Sequence, residues 1–124
     1  MRNWSFIARW MVVAAGLAEV IVSAGSASAA TLVVANKSDA TVSLVDLATP
    51  EVRATVAVGV GPHEVAVSPD GRLALVGIYG TREAPGSSMA LIEIPSARLV
   101  RTISLGEYRR PHGIVWLADN RRRA

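Results

Sequence analysis

Three features of the sequence predict an all-β fold. After residue 30 the chain is a succession of short runs rich in Val, Ile, Leu and Thr, each bounded by Gly, Pro, Asp, Asn or Ser. Runs of that kind read as strands. No stretch in this part carries the apolar period of 3.6 that marks a helix packed on a core. The third feature is a phrase that returns: "VRATVAVGVGPHEVAV" at 52–67 and "VRTISLGEYRRPHGIVW" at 100–116.

The predicted strands follow in order. Thr31–Asn36 and Thr41–Asp46 flank the polar turn "ANKSDAT", and "DLATPE" leads from the second into Val52–Val58. His63–Ser68 and Arg72–Tyr79 alternate apolar and polar on either side of Ser68-Pro69-Asp70-Gly71. Pro69 brings a φ already suited to its turn position, and Gly71 can take the left-handed conformation that closes a hairpin with a bulge. "GTREAPGSS" at 80–88, with Gly, Pro and charge, reads as the longest exposed loop. Met89–Ile94, Leu99–Leu105 and His112–Leu117 complete the set.

The returning phrase is a structural repeat. Thr55 corresponds to Thr102, Val56 to Ile103, Val58 to Leu105 and Gly59 to Gly106, and "TVSLVDL" (41–47) corresponds to "SMALIEI" (88–94). From Pro62 to Pro111 the spacing is 49 residues. Four short strands repeating every 40–50 residues or so are the signature of a β-propeller blade. Each Pro-His pair then opens the innermost strand of a blade. Residues 31–58 supply strands two to four of one blade, 63–105 a complete blade, and 112–117 the first strand of a third.

The first 29 residues have another character. Arg2 and Arg9 precede the apolar run Trp10–Val22, "SAGSASAA" follows, and Ala27-Ser28-Ala29 fits an A-x-A cleavage site. This is the layout of a secretory signal peptide; Glu19 inside the run weakens that reading and the competing one, an uncleaved anchor, alike. The run is short for a membrane span, which needs about 20 apolar residues. Cleavage after Ala29 would leave residues 30–124 in the periplasm or outside the cell. Losing Arg2, Arg9 and Glu19 lowers the net charge from +3 to +2, and Arg121–Arg123 carry three of the remaining positive charges. That basicity is a tail effect and not a face built for nucleic acid. The chain has no cysteine, so neither a disulfide, a lipid anchor nor a c-type haem attachment is expected.

The stretch 31–76 resembles the YVTN family of β-propeller repeat proteins, through "VVAN", "ATVSLVDLAT" and "VGVGPHEVAVSPDGR". The resemblance implies an exported protein of typically seven blades and covers essentially all of 30–124. It implies no reaction, because similar propellers occur in quinoprotein amine dehydrogenase subunits, lactonases and surface-layer proteins. A ring of 4–8 blades needs a longer chain than this one. Ala118-Asp119-Asn120-Arg121 corresponds to Pro69-Asp70-Gly71-Arg72, with Asn120 in the left-handed place of Gly71, but Arg122-Arg123-Ala124 does not begin a partner strand. The expectation is a partial propeller, part of a longer one. The alternative is a complete two-blade protein that assembles into a ring.

No catalytic motif stands out: there is no G-x-S-x-G, no phosphate-binding glycine loop and no H-E-x-x-H. His63 and His112, the only histidines, occupy equivalent positions near a central channel. Imidazole is a common ligand for zinc and copper. Two of them with no cysteine and no nearby carboxylate pattern make an incomplete site, so a turn-forming role and no bound metal are expected. Strand alternation puts Glu64 on the face opposite His63, where it reads as solvated, the alternative being a lone acid facing the channel. Asp70 and Asp119 read as turn formers, as do Asp46 and Glu93 at the ends of equivalent strands. "EYRRPHG" (107–113) reads as a solvated loop, the alternative being arginines that meet an anionic ligand at the channel mouth.

The function expected from the sequence is thus a non-catalytic binding or scaffold surface of the cell envelope, without cofactor. Its partner is an unknown protein or small ligand at the propeller face, with no nucleic acid and no stable membrane span. Self-association through exposed blade edges is also expected, with apolar faces formed by Val33, Leu44, Ile114 and Trp116. The alternative is the N-terminal part of a propeller enzyme, quinoprotein amine dehydrogenase-like or lactonase-like, with its active residues on further blades.

Overall fold

A computed structural model describes residues 30–117. The expected signal peptide, with its expected cleavage residues Ala27 and Ala29, and Asp119 and Asn120, expected to form a turn, lie outside this range. Among the described residues there are seven strands and no helix: β1 (Thr31–Asn36), β2 (Thr41–Asp46), β3 (Glu51–Ala57), β4 (Pro62–Val67), β5 (Leu73–Gly80), β6 (Pro85–Glu93) and β7 (Arg98–Ser104). They form two antiparallel meanders, a three-stranded sheet β1-β2-β3 and a four-stranded sheet β4-β5-β6-β7. This is the all-β, partial propeller architecture that the repeat predicts.

The repeat extends to the irregularities. Register slips between Leu44 and Val45 on β2, and between Leu91 and Ile92 on β6. These are matching positions of "TVSLVDL" and "SMALIEI". A bulge tightens the local twist of a strand pair, so both blades twist at the same place. The residue before each Pro-His also matches: Gly61 and Arg110 both have positive φ, 68° and 55°. Glycine takes that conformation freely, whereas arginine takes it at a cost of about 1 kcal/mol.

Strand alternation aims one face of each sheet at the other. Val42, Leu44, Val56 and Val58 of the first sheet form one core with Ala74, Val76, Ile78, Ala90, Ile92 and Ile94 of the second. Arg53 bridges the sheets at one end, donating to the carbonyls of Ile94 (2.7 Å) and Pro95 (3.2 Å). Leu44, expected on an exposed face, is fully buried here. Val33, Ile114 and Trp116 are only partly covered.

Two further expectations are corrected. The long loop 80–88 is mostly strand, because Gly80 already pairs with Pro85 and the connection shrinks to 81–84. Thr81 closes it, its N–H donating to the Ala84 carbonyl (2.9 Å) and its hydroxyl accepting the Ala84 N–H (2.9 Å). The second correction is that 112–117 is not a strand. No described strand lies beside it to form a ladder, and a side chain takes the N–H groups of Gly113 and Ile114. The segment packs instead on the four-stranded sheet at Gly77, where an added Cβ would lie 3.1 Å from Ile114 Cδ1 and 3.2 Å from the Pro111 carbonyl.

The hairpin at 68–71 forms as the sequence predicts. Gly71 has φ 70°, and its N–H donates to the Ser68 carbonyl (2.8 Å). Asp70 accepts from the Ser68 hydroxyl (2.6 Å) and from the Arg72 N–H (3.1 Å). The Ser68 hydroxyl accepts in turn from the Leu73 N–H (2.9 Å), so this buried hydroxyl is satisfied on both sides. Asp46 and Glu93 also serve turns, accepting from the Ala48 N–H (2.7 Å) and the Ser96 hydroxyl (2.5 Å).

Candidate functional site

The most concentrated chemistry among the described residues lies where β4 begins. Pro62 pairs with Ile78 and Val65 with Val76, so His63 and Glu64 together oppose the single residue Gly77. This extra residue is a bulge, and bulges re-aim side chains. Glu64 is therefore not on the face opposite His63, as strict alternation implies. Its carboxylate lies 3.9 Å from His63 Nδ1 and 3.2 Å from His112 Nδ1, both measured to Oε1.

The other carboxylate oxygen faces backbone. Glu64 Oε2 accepts the N–H of Gly113 at 2.5 Å and that of Ile114 at 3.3 Å. Further along, Trp116 Nε1 donates to the Ala66 carbonyl at 2.7 Å. These bonds stitch β4 to the segment one repeat later. The Gly113 N–H is the main cause that holds the Glu64 carboxyl below its ordinary value. Desolvation opposes the shift, and the Ile114 N–H and the two imidazoles add to it.

Aromatic and cationic groups gather beside the carboxylate. The His63 and His112 rings are 5.3 Å apart, and Tyr79, near the end of β5, lies 4.9 Å from His63 and 6.4 Å from His112. Lys37 Nζ and the Arg110 guanidinium lie 5.5 and 5.2 Å from the centre of the Tyr79 ring, within cation–π range. Arg110 also donates to the carbonyls of Arg82 (3.1 Å) and Thr81 (3.4 Å). Arg110 is thus tied down, whereas Glu107, Tyr108 and Arg109 of the same loop are exposed, as expected.

The structure thus brings the two predicted histidines together, adds Tyr79 and Lys37, which sequence reasoning passed over, and draws in Glu64 and Arg110, which it read as solvated. The Glu64–Gly113 contact was readable in principle, because the two share one repeat position, 49 residues apart. The bulge that turns Glu64 toward the histidines has no local sequence signal. The expectation of no metal rested in part on a missing carboxylate, and Glu64 supplies one. Pro69, Asp70 and Gly71 lie at the far end of the β4–β5 hairpin and take no part in this cluster.

A three-stranded and a four-stranded antiparallel meander that repeat one pattern and share one core have the make-up of β-propeller blades. Residues 8–110 match the family model of the cytochrome D1 heme domain, and the chain belongs to that family. Among solved structures it is similar to a chain of the Kuenenia stuttgartiensis hydrazine synthase, at 31% identity and a TM-score of 0.54. That alignment covers 63% of this chain and 21% of the other, so the chain spans about a fifth of that structure's length. No curated protein matches it.

Proposed function

We propose that the chain is a non-catalytic segment of an exported β-propeller, with YVTN-type repeats, that presents the His63–Tyr79–His112 face to a protein or small-ligand partner in the cell envelope. The observation that carries this reading is the Glu64 clasp. A charged side chain at the mouth of the inner strands is used to join successive repeats, a scaffolding task. The layout of residues 1–29 supports export.

The family's name implies haem, and the chain's own residues do not fit one held between its histidines. A haem ligated on both faces keeps its two imidazoles on opposite sides of the macrocycle. Here the rings are 5.3 Å apart, and both present Nδ1 to the same carboxylate oxygen. A second reading, the N-terminal part of a propeller enzyme whose reacting groups lie outside residues 30–117, is favoured by the likeness to a chain of hydrazine synthase.

Titrating hemin into the purified full chain tests whether its histidines hold a haem. The scaffold reading expects no saturable Soret shift. A one-to-one complex abolished by His63→Ala or His112→Ala would overturn it. Intact mass of protein from the periplasmic fraction checks export, with a mature N-terminus near Ala30 as the expected result.

A further inference from the structure

We infer that His63, Glu64 and His112 form a binding site for one divalent first-row transition ion at the mouth of the inner strands. This goes beyond the scaffold reading and does not depend on it. The three residues each offer a ligand atom, and these atoms all lie within 4.8 Å of one another.

The division of labour on Glu64 is the first argument. Oε2 is committed to two backbone N–H groups, which fix the carboxylate in place. Oε1 has no backbone donor among the described residues; it faces the Nδ1 atoms of both histidines. A proton on His112 Nδ1 would satisfy the 3.2 Å pair, but the 3.9 Å separation from His63 is beyond hydrogen-bond range. Three possible ligand atoms within 4.8 Å of one another are a spacing that a bound cation can bridge.

Geometry and donor type agree. Two ligands each about 2.0–2.2 Å from a tetrahedral zinc are about 3.4 Å apart. The Glu64–His112 separation already meets that spacing; the Glu64–His63 pair must close by about half an ångström, and the two imidazole nitrogens, within 4.8 Å of one another, by up to about 1.4 Å. Two imidazoles and a carboxylate suit zinc, copper, nickel or iron rather than calcium or magnesium. The backbone bonds to Glu64 and the Tyr79 ring at 4.9 Å from His63 supply the outer support that orients metal ligands. The His112 side chain is 64% exposed, so the solvent side stays open to water or an exogenous ligand.

The test is equilibrium dialysis of the tag-free full chain against zinc with elemental analysis, which counts ions per chain whatever the state of assembly. One zinc per chain is expected, with affinity reduced about tenfold or more in His63→Ala and in His112→Ala. Copper(II) spin resonance on the unaltered chain provides a readout that needs no variant: hyperfine coupling to two imidazole nitrogens is expected. Zinc well below one per chain at saturation, a copper spectrum without those nitrogens, or a folded double variant that binds as tightly as the parent would overturn the site.

Discussion

The carboxylate of Glu64 accepts the backbone N–H of Gly113, the residue that holds Glu64's own place one repeat later. The contact joins equivalent points of successive blades. In a propeller the inner strands are the elements that converge on the axis, so a side chain reaching sideways from one meets the next. The clasp is therefore a consequence of radial repetition together with the bulge that turns Glu64 toward the next repeat.

Two glycine substitutions should separate two physical causes. In Gly86→Ala the new Cβ would meet the Ile78 carbonyl oxygen well inside contact distance, with paired backbone on both sides. A loss of about 3 kcal/mol or more is expected. Gly71→Ala has open space around the new Cβ but a φ of +70°, so only the conformational cost of about 1 kcal/mol applies. Chemical denaturation of both variants checks the order.

The interface between the sheets should dominate stability. Leu44→Ala removes a fully buried side chain from the shared core and is expected to cost about 2–5 kcal/mol. Leu32→Ala, on a side chain 49% exposed, should cost less than about 1 kcal/mol. Equal losses in thermal or urea unfolding would contradict the assignment of the core.

Asp70 should give the hairpin an acid-sensitive contribution. Its carboxyl is held below the ordinary 3.8, first by the Ser68 hydroxyl and then by the Arg72 N–H. A depressed value in the folded state means the group stabilises the fold above pH 3.8 and loses that contribution as pH falls through 3.8 toward the folded value. The parent should therefore exceed Asp70→Asn in stability near neutral pH, and the gap should close below pH 3.8. Paired unfolding curves across pH 2–7 or so measure it.

Apolar surface should drive self-association. Val115 and Leu117 are 74% and 76% exposed, and β1 is paired on one side only among the described residues. Unpaired edges with apolar neighbours template assembly. Sedimentation velocity of the full chain is expected to show concentration-dependent growth that Val115→Lys/Leu117→Lys reduces. A concentration-independent monomer would argue against this.

Much of the fold was legible because it rests on local rules. Alternation located Val42, Leu44, Ala74 and Val76 on strands, and Pro69-Asp70-Gly71 announced its own turn. The repeat announced the stacking of blades. What sequence did not show was non-local. The bulge at His63–Glu64 depends on how β4 meets Gly77, so alternation misplaced Glu64. The 112–117 segment has strand composition, but without a partner strand its N–H groups go to a side chain. Arg110 resembled a loop residue, although its contacts with Tyr79, Thr81 and Arg82 depend on folding β5 and β6 beneath it.

The central claim is that successive repeats are clasped through Glu64, and hydrogen exchange at Gly113 and Ile114 tests it most directly. The structure bonds these two amides to Glu64 and not to a strand ladder. They should exchange about tenfold or more slowly than in an unfolded peptide, and Glu64→Ala should return them to unfolded rates while β5 and β6 stay protected. Exchange of both amides at unfolded rates in the unaltered chain would contradict the account.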